Sequence, residues 1–105
     1  MLCYPDTNAD IEVIIKNNRP SKDNLYTGYR PAFKVKEDYL TTGLIRLIDC
    51  DEVRYGKETI AEVWFIAPEH YPHCLEVGQT IHFQDGAKVQ GFVTITKINN
   101  KILEK

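Results

Sequence analysis

The chain reads as all-β, a single six-stranded antiparallel closed β-barrel, because its apolar residues recur at strand spacing and its glycines and prolines fall between those runs. The second mark is a tight hairpin signal in the last third of the chain. No stretch holds a helical apolar stripe for three turns.

Taken in order, the expected strands are Ile11–Lys16, Ala32–Lys36, Leu44–Ile48, Thr59–Ile66, Gln79–Gln84 and Val89–Ile98. In the second, Phe33 and Val35 alternate with Lys34 and Lys36, the period of two of a sheet with one wet face. The fourth lies in TIAEVWFIA, which is almost wholly apolar and reads as a central strand buried on both sides. Between the runs stand Asn17-Asn18-Arg19-Pro20, Thr42-Gly43, Tyr55-Gly56, Pro68 and Pro72, which punctuate rather than continue an element. In IHFQDGAKVQGFVTI, Asp85-Gly86 sits between two β-rich runs as a hairpin turn does, and Gly91 marks a bulge or a close approach of neighbouring backbone. Val13, Ile15, Phe33, Val35, Val63, Phe65, Ile81, Phe83, Val93 and Ile95 are expected to converge in the interior. Trp64, between Val63 and Phe65, is read as packed rather than as an interaction surface.

At 105 residues the chain has room for one hydrophobic core: residues 9–99 for the barrel, with residues 1–8 and 100–105 as tails. Its 43% hydrophobic content supports such a core without a disulfide or a structural metal. Cys3, Cys50 and Cys74 are an odd set without a Cys-x-x-Cys pair, which suits free thiols in a reducing compartment. The expected location is therefore the cytoplasm. The opening MLCYPDTNADIE is polar and acidic, and no apolar run approaches the ~18 residues of a membrane span. Thirteen basic residues against 15 acidic ones give a formal charge of −2, so no global basic field draws the chain to nucleic acid.

Two short segments resemble ligand-binding loops without meeting their requirements. Gly56-Lys57-Glu58-Thr59 lacks the upstream glycine of a phosphate-binding loop and places Glu where Ser or Thr would ligand magnesium, so no nucleotide is expected. Asp49-Cys50-Asp51-Glu52 lacks a calcium loop's glycine-bearing twelve-residue frame and reads as a solvated loop. The chain is expected to carry no catalytic residue, cofactor or metal.

One family resemblance emerges from Ala9-Asp10-Ile11-Glu12-Val13, Leu25-Tyr26-Thr27-Gly28-Tyr29-Arg30-Pro31-Ala32-Phe33, the Thr41-Thr42-Gly43 turn and Asp85-Gly86-Ala87-Lys88-Val89-Gln90-Gly91. In that order and spacing they resemble the third, C-terminal β-barrel domain of elongation factor Tu, here as a stand-alone domain. Gly-Tyr-Arg-Pro-x-Phe is the most specific element. The segment from Ile66 to Gly78 departs from the family's pattern, and Ala32 stands where the family has Gln.

The resemblance implies a non-catalytic binding module. In the family this barrel meets aminoacyl-tRNA, the GTPase domain and the exchange factor, so a protein partner linked to translation is the first reading, including a mimic or immunity-type neutraliser. A tRNA- or RNA-binding module is the alternative. The residues that fall on the corresponding surface are Arg30, Thr42, Asp85, Gly86 and Lys88, with Tyr29 beside them. Tyr26, Tyr29 and Tyr55 stand at strand ends where a protein partner would bury them. The same Gly-Tyr-Arg-Pro run also has a purely structural reading, with Gly28 supplying a positive φ and Pro31 holding Arg30 extended. A second alternative, a metal-dependent enzyme, rests on His70, His73 and Cys74 with His82 as a fourth ligand, in a spacing that matches neither His-Glu-x-x-His nor paired Cys-x-x-Cys.

Overall fold

The structure, a computed structural model, describes residue 5 and residues 7–105. Its strands are β1 (Ile11–Asn17), β2 (Leu25–Tyr26), β3 (Ala32–Lys36), β4 (Tyr39–Leu47), β5 (Glu52–Val53), β6 (Glu58–Phe65), β7 (Thr80–Asp85) and β8 (Lys88–Ile98). Six of them close a barrel in the order β1-β6-β4-β3-β7-β8, with β8 paired back onto β1 and every neighbour antiparallel. The helical content among the described residues is two short 3-10 turns, Pro68–His70 and Lys101–Leu103. No helix of the described residues is long and apolar enough to cross a membrane.

Alternation builds the interior. In β1 the odd residues Ile11, Val13 and Ile15 are fully buried, while Ile14 and Lys16 face outward. All ten residues expected inside belong to the core, and Ile11, Ile45, Leu47 and Ala61 join them. Burying one such side chain is worth about 1.5–3 kcal/mol, so this set supplies much of the drive to fold. Phe33 is the hub, with its ring 5.6 Å from both Phe65 and Phe83.

The strand bounds differ in instructive ways. The β4 strand begins at Tyr39 rather than Leu44, and Thr41-Thr42-Gly43 lies inside it instead of forming a turn. The chain reverses at Glu37-Asp38, where Asp38 adopts φ 60. Gly43 is there for packing, since a Cβ on it would stand 2.9 Å from Phe33 Cε2 and Val63 Cγ1. The β6 strand is buried on both faces only over Val63–Phe65, for Ile60 on its outer face is 49% exposed. The last hairpin turns on Gly86-Ala87 while Asp85 pairs with Lys88; Gly86, at φ 61, takes the first central position as a two-residue loop of this kind requires. Gly91 meets both readings given above: the β7–β8 register slips beside it, and a Cβ there would stand 2.5 Å from Phe83 Cζ.

The ends of the barrel are plugged by parts without a periodic signal. At one, β2 and β5 pair as a separate ribbon that buries Leu25 and Val53. Asn17, fully buried there, donates to the Asp23 and Val53 carbonyls at 2.8 Å and accepts from the Arg19 N–H at 3.0 Å. At the other, residues 100–105, set apart above as a tail, run back along the chain: Leu103 is fully buried with Tyr71 and Leu75, and the Leu75 N–H donates to the Leu103 carbonyl.

Candidate functional site

The Gly-Tyr-Arg-Pro run acts as an extension of the β3–β4 ladder. The Tyr29 carbonyl accepts from the Ile45 N–H at 3.0 Å and the Pro31 carbonyl from the Gly43 N–H at 3.1 Å, which sets Arg30 opposite Leu44. Pro31 has no N–H to return, so regular pairing starts only at Ala32. Gly28 has φ 91, the positive value expected of it. Alternation then sends Tyr29 and Phe33 inward and Arg30 outward.

Leu44 is in turn the cross-strand partner of Trp64, so Trp64, Leu44 and Arg30 fall on one row across the wall. They line an open cleft of about 420 Å³ together with Pro5, Thr42 and Ile66. Trp64 is buried as expected, but on the outside of the barrel, in a small cluster with Ala9 and Leu44. Its indole N–H donates to the Thr7 carbonyl at 3.0 Å, and the Arg46 guanidinium lies 5.1 Å from its ring centre while pairing with Glu62. Ile66, 74% exposed, forms an apolar rim. Arg30 is exposed and makes no hydrogen bond or ion pair among the described residues, so its charge stands free at the mouth.

The expected site residues are thus only partly assembled. Arg30 and Thr42 share the cleft, whereas Asp85, Gly86 and Lys88 form the tip of the β7–β8 hairpin, all three exposed. Tyr29 belongs to neither surface. Its ring packs edge-on against Phe83, the Arg19 guanidinium lies 5.4 Å from its centre, and its hydroxyl is buried without a hydrogen-bond partner. Burial and nearby Asp85 push this phenol above its usual range, with Arg19 opposing. Tyr26 and Tyr55 are exposed at 56% and 44%, and Lys22 lies over the Tyr55 ring.

The His73 and Cys74 side chains are spent locally, and His70 does not join them. His70 is exposed in its 3-10 turn, His73 holds the Glu104 carbonyl through Nδ1 at 2.8 Å, and the Cys74 thiol donates to the Tyr71 carbonyl at 3.0 Å. Burial pushes the Cys74 thiol upward, away from the thiolate that metal binding needs. His82 is on β7, bonded to Gln84. Among the described residues no three His, Cys, Asp or Glu side chains gather as a metal-holding group. Cys50 and Cys74 are free thiols, and Cys3 lies outside the described residues.

Leu44 and Ile66 are cleft residues that sequence reading passed over. Their signal was outward parity: both share it with Trp64 and Arg30 once the register is known, but apolar residues at strand spacing look alike on either face. No family model matches this chain, and no curated protein does.

Proposed function

We propose that the chain is a non-catalytic binding module whose outer cleft takes a segment of a partner protein, an apolar side chain lying against Leu44, Trp64 and Ile66 and a carboxylate on Arg30. The observation that carries this reading is a free guanidinium set at the mouth of an apolar cleft, the pairing of anchor pocket and charge found at protein-binding hot spots. A highly exposed Ile66 supports it, since apolar rims of this kind gain most from being covered. The closed six-stranded barrel is compatible with the resemblance to the third domain of elongation factor Tu. On that resemblance the partner is linked to translation, and the barrel acts as a stand-alone mimic or neutraliser that occupies a face the factor itself presents.

The test uses two surface variants, Ile66→Asp and Lys88→Ala. A partner captured from native extract and then purified should bind the wild type and Lys88→Ala alike and lose at least about tenfold in affinity for Ile66→Asp. Equal binding by Ile66→Asp would overturn the cleft. Bulk tRNA that binds tightly, with affinity falling steeply in log salt and weakened by Arg30→Ala, would replace the protein reading with RNA.

A further inference from the structure

The seam between β3 and β7 does not stay shut over its whole length. The register between β3 and β7 consists of Ala32↔Gln84 and Phe33↔Phe83. Past that point β3 remains paired only to β4, through Lys34↔Leu40 and Lys36↔Tyr39. On the far side Thr80, Ile81 and His82 remain paired only to β8. Two strand margins therefore face each other across a groove of about 450 Å³, with Lys34, Lys36 and Glu37 on one bank, Thr80 and His82 on the other, and Phe92 beside them.

An exposed strand margin offers backbone donors and acceptors in a row, which is what an added strand satisfies. A fully paired wall has none, so the splayed β3–β7 seam offers strand addition a template. The banks also state a charge preference. Two ammonium groups, Lys34 and Lys36, stand against one carboxylate, Glu37, in a chain of formal charge −2. Lys36 lies over the Tyr39 ring at 5.3 Å, which limits the freedom it would lose on binding. Phe92, 38% exposed, offers apolar surface to alternate residues of an extended segment.

We propose that the β3–β7 seam is a second binding site, one that takes an extended acidic peptide segment of a partner protein by strand addition. Backbone hydrogen bonds to Lys34–Lys36 or Thr80–His82 give the affinity, and Lys34 and Lys36 select acidic side chains. The site is separate from the Arg30 cleft and stands or falls independently of it.

The probe is a capped hexapeptide of alternating valine and glutamate, titrated into the nitrogen-15-labelled full chain and followed by amide shifts. The expected result is saturable binding, with shift changes concentrated on residues 34–37 and 79–82. Binding should be weakened about tenfold by added salt, by Lys34→Glu or Lys36→Glu, and by N-methylation of the peptide backbone. The methylated peptide is read on the wild type, so a folding defect in either variant cannot decide the outcome. Absence of saturable binding, indifference to N-methylation, equal binding of a valine-lysine peptide, or shifts confined to the Arg30 cleft would each overturn the proposal. Displacement of the peptide by single-stranded poly(U) would assign the groove to nucleic acid instead.

Discussion

Gly91 and Phe83 are cross-strand partners in such close contact that the glycine's missing side chain is the space the aromatic ring occupies. The Lys16 carbonyl closes the same space from β1. Gly91→Ala therefore forces either backbone or a core ring to move. Overpacking typically costs about 1–3 kcal/mol, and the upper end or beyond is expected here because part of the obstruction is main chain. Urea denaturation should show that loss as a lowered midpoint at unchanged slope.

The buried Tyr29 hydroxyl makes the opposite prediction. Because it has no hydrogen-bond partner, Tyr29→Phe removes a desolvated polar atom while keeping the ring on Phe83, and should be neutral or stabilising by about 1 kcal/mol. The variant also probes pH. A phenol whose folded pKa is raised holds its proton more tightly when folded, so its stabilisation is present below the unfolded value of about 10 and is lost as pH rises through the folded value. Tyr71 is raised in the same direction, chiefly by burial. Tyr29→Phe should thus lessen, without abolishing, the fall of thermal midpoint above about pH 10, and an unchanged alkaline limb would refute it.

Removing Asn17 and removing Leu103 should separate two kinds of plug. Asn17→Leu strands the buried Val53 carbonyl and weakens the part-buried Asp23 carbonyl and Arg19 N–H, at a cost of about 1–3 kcal/mol. Leu103→Ala opens a cavity beneath Tyr71 and Leu75, at about 2–5 kcal/mol. Only the first should loosen the β2–β5 ribbon, seen as faster amide exchange at Leu25 and Val53.

A chelator should leave the denaturation midpoint unchanged, and the purified protein should hydrolyse neither GTP nor ATP. A structural zinc would reveal itself as a loss of several kcal/mol on chelation and would revive the His70, His73 and Cys74 reading.

The barrel was legible wherever a strand had one wet face and a clear turn beside it. Phe33 and Val35 alternate with lysines, and Gly86 marks the hairpin, so β3, β7 and β8 stand close to where the residues place them. Glycine misled at Thr42-Gly43, because a residue absent to make room for Phe33 looks the same in sequence as one present to make a turn. The β2–β5 ribbon was invisible for another reason: two-residue strands have no period to detect. Arg30 and Thr42 came together through register, which no local pattern encodes, while Asp85 and Lys88 were carried off to the hairpin tip by the length of β7 and β8.

The placement of β1 has a consequence for how the chain reaches this shape. Its two neighbours are β6 and β8, so β1 stays without a barrel partner until β6 has been made, and its second margin waits for β8. Asn100 seals the closure by donating to Asp10, 90 residues away. Loops that long must be closed before their contacts repay them, so the search is slow for a chain of this size. The β3–β4 and β7–β8 hairpins, with the nearest partners, are the natural first products. During synthesis β1 waits as a half-made sheet with an apolar face, which makes the nascent protein, more than the finished one, the species that depends on protection from its neighbours.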